Sequence, residues 1–228
     1  MMENPNKARV YFTSDVHFGH KNVLRYHPKR RVEANIMYDT LTDNSNEALR
    51  QHDEWLIDLW NSTVRKQDYV FHLGDFSWYN AGQTEKLLNK LHGRKFFIRG
   101  NHDQAIRNLD NYFEWVGDIK EAKFTNNQFK FIDPNETFCV EMCHYPLLTW
   151  NRRSHGSVCA HGHTHGALDD FNTNSGELRV DVGIDSMLGN YHFIELEELY
   201  NYFCDIRDSK GCKTFAEYQE MLISDIKG

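Results

Sequence analysis

Short apolar runs that stop abruptly at polar residues organise the first half of the chain. Ala8–Ser14 (ARVYFTS) is rich in β-formers and ends at Asp15, Tyr69–Leu73 breaks at Gly74-Asp75, and Lys95–Arg99 ends at Gly100. Each reads as a buried strand. Between the first two, Asn44–Arg65 carries helical spacing. Leu49, Leu56, Leu59, Trp60 and Val64 lie on one face, and Asn44 with Glu47 makes a capping-box-like start. Thr84–Leu91 predicts a shorter helix that turns Leu87, Leu88 and Leu91 inward. From Phe124 onward the texture changes to strands, at Gln128–Ile132, Phe138–Cys143, Ser157–Ala160, Leu178–Val182 and Tyr191–Ile194, with a turn at Asp133-Pro134-Asn135. Helix returns in Glu195–Asp208 and again from Thr214, where Thr214 and Glu217 form a capping box. Strand–helix alternation followed by a strand-rich half predicts two packed sheets with helices outside. No repeat or linker divides the chain, so one domain over residues 1–228 is expected. Pro28–Asp43 is the long stretch without clear periodicity, and loops in such positions commonly cover an active site.

Composition narrows the class. With 228 residues, 40% apolar and 26% charged, the chain is long enough to bury a core without disulfides. The formal charge is −7, and Lys29-Arg30-Arg31 is the densest basic cluster, which disfavours broad nucleic-acid binding. Five cysteines without a C-x-x-C pair (Cys139, Cys143, Cys159, Cys204, Cys212) read as reduced thiols, mostly in the core. Nothing before Val10 resembles a signal peptide, and no run reaches the length of a membrane span. A cytoplasmic protein without membrane partners is therefore expected.

The chemistry lies where the strands stop. Asp15-x-His17, Gly74-Asp75, Gly100-Asn101-His102-Asp103 and Gly162-His163-Thr164-His165 follow one another, with His144 between the last two. Each cluster alone is a plausible turn. Together, Asp15, His17, Asp75, Asn101, His144, His163 and His165 supply the oxygen and nitrogen donors that two metal ions need, at strand ends where side chains converge. On an extended segment, His163 and His165 would point to the same side. Mixed carboxylate, amide and imidazole donors suit Mn²⁺ first, with Fe, Zn²⁺ or Ni²⁺ as alternatives, rather than Ca²⁺.

The order of these blocks, from D15-x-H17 through GNHD (100–103) and H144 to GHTH (162–165), resembles the calcineurin-like metallophosphoesterase superfamily. His20 and Asn22, in HFGHKN, resemble its small bacterial and phage branch. The resemblance implies an α/β (α+β) fold in four layers, two packed mixed β-sheets flanked by helices. It also implies a dinuclear site, with Asp15, His17, Asp75 and His165 at one ion, Asp75, Asn101, His144 and His163 at the other, and Asp75 bridging. Implied with it is hydrolysis of a phosphodiester or phosphomonoester, of a small nucleotide-like substrate, by a metal-bridging hydroxide. His102 falls at the catalytic position beside the leaving group. Trp78 stands where many members carry an acid that orients this histidine, which leaves Asp103 or a backbone carbonyl for that task. His20, Asn22 and Arg31 are candidates for substrate contact, with helix capping an equal reading for Asn22 and a solvated loop charge the plainer one for Arg31. Arg152 and His155 are weaker candidates, and Asp181 and Asp185 read as structural or as partners of metal-ligating histidines. His27, His52, His72, His92 and His192 read as structural or surface residues. Two other classes stay open, a nuclease acting on single-stranded DNA or RNA and a non-catalytic metal-binding scaffold.

Overall fold

The computed structural model describes residues 7–36 and 46–227. In chain order its elements are β1 (Val10–Thr13), α1 (Val23–Tyr26), α2 (Lys29–Glu33), α3 (Asn46–Thr63), β2 (Tyr69–His72), α4 (Ala81–Leu88), β3 (Arg94–Ile98), β4 (Trp115–Gly117), β5 (Ile119–Thr125), β6 (Thr137–Cys143), β7 (Val158–His161), α5 (Asp169–Ser175), β8 (Arg179–Asp181), β9 (Ile194–Glu195), α6 (Leu196–Asp208) and α7 (Phe215–Lys227). They build two mixed sheets, in the strand orders β4-β3-β2-β1-β9 and β5-β6-β7-β8. β1 to β4 run parallel and β9 antiparallel to β1; β6 to β8 run parallel and β5 antiparallel to β6.

Strand alternation divides the apolar residues between two cores. Val10, Phe12, Phe71 and Ile98 face the second sheet and pack with Phe124, Phe138, Val140 and Val158. Their neighbours Tyr11, Val70 and Phe97 face the other way, against Leu56 and Trp60 of α3 and Leu87 and Leu88 of α4. α6 and α7 add Leu199, Phe203, Phe215 and Tyr218 to the inter-sheet core. Fully burying a side chain such as Phe12 or Phe138 stabilises the fold by about 1.5–3 kcal/mol. The polar strand ends can therefore be shaped for chemistry rather than for stability.

Several expected elements differ. Gln128–Ile132 forms turns rather than a strand, because Asn126 Nδ2 donates to the carbonyls of Lys130 and Ile132 and Phe129 N bonds back to Thr125 O. The strand preceding β6 is instead β5, whose sequence IKEAKFT hides it, since as an edge strand it carries charge where a central strand carries apolar side chains. The Asp133-Pro134-Asn135 turn is present, with Asn135 N donating to Asp133 Oδ1 at 2.7 Å. Tyr191–Ile194 is extended only at its end, since Asn190 and Tyr191 hold positive φ. Part of Pro28–Asp43 is the helix α2, and the face it buries consists of Arg30 and Arg31, which hydrophobic periodicity does not detect. The expected cap at Asn44 lies outside the described residues. The one at α7 is formed, with Glu217 N donating to Thr214 Oγ1 at 3.1 Å and Thr214 N to Glu217 Oε2 at 3.3 Å. The five cysteines are free thiols.

Candidate metal centre

Because β1, β2 and β3 are parallel, the segments following them leave the same edge of the first sheet. Those after β6 and β7 leave the corresponding edge of the second, and an isolated parallel bridge between Ser14 and Gly183 joins the two edges. Asp15 and His17 follow β1, Asp75 follows β2, Asn101 and His102 follow β3, His144 follows β6, and His163 and His165 follow β7. Five of these residues adopt left-handed backbone: Asp15 (φ 56°), His17 (54°), Asp75 (57°), His163 (70°) and His165 (48°). Side-chain-bearing residues take this region at a cost, and they concentrate at functional sites. The GHTH segment is accordingly not extended, and its two histidines diverge into different groups instead of sharing one side.

Two clusters of donor atoms result. Asp15, His17 and His165 form one, and Asp75, His144 and His163 the other. They adjoin through Asp75, whose Oδ2 lies 3.8 Å from His17 Nε2 and whose Oδ1 lies 3.7 Å from His144 Nε2. Asn101 joins the second cluster, its Oδ1 3.1 Å from His144 Nε2. All seven residues singled out by sequence are thus brought together.

Glycines make this convergence possible. A Cβ on Gly162 would collide with Ser14 Oγ and Asp15 Oδ2, and one on Gly100 with Asp75 Oδ1. Backbone groups complete the frame, His163 N donating to Asp15 Oδ2 and His102 N to Asp75 Oδ1, each at 2.9 Å.

The donor set fits divalent cations. His144 Nδ1 is 2.7 Å from Leu73 O, to which it donates, so its Nε2 lone pair faces the Asn101 carbonyl oxygen, and two acceptors meet there. His165 Nδ1 donates to Asp185 Oδ2 at 2.7 Å, which turns its Nε2 lone pair towards Asp15 and His17. Asp15 Oδ1 is buried without a hydrogen-bond partner, and burial pushes its carboxyl up to about 8. A cation relieves the His144–Asn101 contact and the unpartnered Asp15 oxygen. His17 differs, because the Trp78 indole N–H donates to its Nδ1 at 3.0 Å. Ligation through Nε2 needs the ring proton on Nδ1, so this indole bond and ligation through Nε2 exclude one another. Burial lowers the His17 pKa well below the ordinary value, which keeps the ring neutral.

The surroundings show which expectations hold in space. Asp185 is gripped by Arg30, whose Nε and Nη2 donate to its two oxygens at 2.8 and 2.5 Å. Burial alone would raise the Asp185 carboxyl, but the Arg30 guanidinium and His165 hold it well below the usual range. His27, Asp185 and His165 also cluster, yet Arg30 already neutralises Asp185 there. Asp181 organises the GHTH loop, accepting from Thr164 Oγ1 at 2.5 Å and Gly166 N at 3.1 Å. Asp103 does not orient His102. Its carboxylate accepts from Asp75 N, Phe76 N and Gly100 N, tying two site loops together. His102 instead lies against Trp78, with ring centroids 4.4 Å apart and planes at 30°.

A cleft of about 210 Å³ opens over the two clusters, with His17, Asp75, Asn101, His102, His163 and His165 in its lining. His20 lines it too, stacked on Trp78 with ring centroids 4.1 Å apart and planes at 9°. Asn22 is exposed at the start of α1 without a side-chain cap bond, and it does not line the cleft. Nor does the structure bring Arg31 there: it is buried, with Nε 3.3 Å from Leu24 O, since α2 turns this side chain inward. Arg152 and His155 are exposed and also lie outside the lining. Sequence spacing passed over two residues. His27 lines the cleft and stacks on His165 at 4.3 Å, and Tyr145 packs edge-on to His163 at 4.7 Å. The position of Tyr145 directly after His144 was the available signal, whereas nothing local marked His27.

The chain is similar to known proteins. The chain is 25% identical over 229 residues to the gene 66 protein of Mycobacterium phage L5, covering 91% of this chain and 100% of that one. It is 35% identical over 153 residues to an uncharacterized protein of Methanocaldococcus jannaschii, covering 64% of this chain and 78% of the other. A protein of unknown function from Aquifex aeolicus has a similar fold, with a TM-score of 0.56 at 20% identity, covering 86% of this chain and 100% of that one. The calcineurin-like phosphoesterase family itself matches residues 8–213, and the chain belongs to that family.

Proposed function

We propose that this chain is a dinuclear, metal-dependent phosphoesterase that hydrolyses small phosphodiesters, with phosphomonoesters as poorer substrates. The observation that carries the reading is the pair of donor clusters meeting at Asp75, with an unpartnered buried Asp15 oxygen in one and two acceptors, His144 Nε2 and Asn101 Oδ1, facing one another in the other. Asp15, His17, Asp75 and His165 would hold one cation, and Asp75, Asn101, His144 and His163 the other. Mn²⁺ best suits this mixture of carboxylate, amide and imidazole. When bound, such ions supply charge to the phosphoryl oxygens and bring a water within reach of deprotonation near neutral pH.

The remaining work falls to the chain itself. Asp185 and the Leu73 carbonyl fix the tautomers of His165 and His144, so their donor atoms stay aimed at the clusters. His102, at the cleft wall with its backbone N–H on Asp75, would give a proton to the departing oxygen, a role that suits an alkoxide leaving group. The test is turnover of bis-p-nitrophenyl phosphate with Mn²⁺. Asp75→Asn is expected to lower kcat on this diester by about 10²-fold or more. His102→Ala should do so on a dinucleotide diester with an alkoxide leaving group, with a smaller loss on the nitrophenyl ester, whose leaving group needs no proton. Wild-type protein that turns over neither this diester nor p-nitrophenyl phosphate with Mn²⁺, Fe²⁺, Ni²⁺ or Zn²⁺ would end the reading.

A further inference from the structure

One wall of the cleft comes from a single stretch of chain. His20, Val23, Tyr26 and His27, at spacings of three and four, present one face of α1 and its flanks to the cavity. This wall is held in place. Val23 and Leu24 are buried, and Gly19 N donates to Asp53 Oδ1 at 3.1 Å. Its rings are backed in turn, His20 by Trp78 and His27 by His165. Tyr26 is the exception. It is 63% exposed while lining the cleft and has, among the described residues, a single tilted ring neighbour, His20 at 6.2 Å.

The charge pattern of the cleft is equally specific. Among the described residues no lysine or arginine lines it. The nearby arginine that could have served, Arg30, is spent on Asp185 and on the Asp15 and Val16 carbonyls. Beyond the two cation clusters, then, the walls offer rings and imidazole edges but no fixed positive charge for a second phosphate.

We propose that Tyr26 and the α1 wall form a subsite for a flat ring system, a nucleobase, carried on the ester substituent that stays with the phosphorus. The matching substrate is a phosphodiester with one phosphorus and a planar group, rather than a nucleoside di- or triphosphate. The subsite rests on the phosphoesterase reading above and adds to it the part of the substrate away from the phosphorus.

The experiment compares two diesters that share a leaving group, the p-nitrophenyl ester of thymidine 5′-phosphate and methyl p-nitrophenyl phosphate, on Mn²⁺-loaded protein. The nucleoside ester is expected to have the higher kcat/KM, mainly through KM. Tyr26→Ala should cut the nucleoside-to-methyl ratio by about 5- to 150-fold, the span of one base–aromatic stack, and Tyr26→Phe should keep it. The exposure of Tyr26 makes both variants foldable. Equal kcat/KM for the two esters, or a ratio unchanged in Tyr26→Ala, overturns the subsite while leaving phosphoesterase activity standing. Inertness of both esters overturns both. Turnover of thymidine triphosphate as fast as of the nucleoside ester also overturns the subsite, because it requires a site for further phosphates.

Discussion

At the residue scale, Trp78 explains how His102 keeps its orientation without an acid at its side. A flat ring 4.4 Å away limits rotation of the imidazole, and the His102 N–H on Asp75 fixes the backbone that carries it. Stacking of this kind positions a group by packing rather than by charge. Removing the ring should therefore cost about as much rate as a misplaced catalytic group, roughly 10- to 100-fold in kcat. Trp78→Phe, which keeps a ring, should stay near wild type, whereas Trp78→Ala should fall. The double variant Trp78→Ala/His102→Ala should be no slower than His102→Ala alone, since both changes remove one function. Additive losses in that pair, measured with a dinucleotide diester whose leaving group is an alkoxide, would show that Trp78 acts elsewhere.

At the scale of elements, the site depends on loops that are tied down from behind. α2 is the clearest case. Its Arg30 is fully buried and donates to Asp185, Asp15 O and Val16 O, joining the loop after β1 to the one after β8. Arg30→Met would leave the Asp185 carboxylate buried without its partner, at a cost of about 3–5 kcal/mol. Denaturant unfolding should show that loss, and a change below about 1 kcal/mol would mean Asp185 finds another partner. What was legible in sequence divides along the same line. The central strands β1, β2 and β3 and the order of metal-type clusters could be read because apolar runs and polar stops are local signals. β5 was hidden by Lys120, Glu121 and Lys123 on an edge strand, and α2 by arginines on its inner face. His27 reached the cleft through tertiary packing on His165, and the left-handed turns that split His163 from His165 have no sequence mark in non-glycine residues.

At the scale of the whole molecule, two apolar cores support an edge on which buried acceptors face one another. Among the described residues no helix is long and apolar enough to cross a membrane. Cation binding should stabilise the protein by mass action, about 2.7 kcal/mol at a hundredfold excess over the dissociation constant. For a chain of 228 residues that corresponds to a rise of about 5–10 °C in Tm between chelator-treated and Mn²⁺-loaded protein. Calorimetry that finds the same Tm in both would argue that the clusters are satisfied without metal. The central claim is narrower, that two cations share Asp75. It is tested most directly by titrating metal-stripped protein with Mn²⁺ and recording the EPR spectrum. Two ions bound per chain with an exchange-coupled spectrum, replaced by uncoupled signals in Asp75→Asn, is the outcome predicted. One ion per chain, or two that remain magnetically isolated in the wild type, would contradict it.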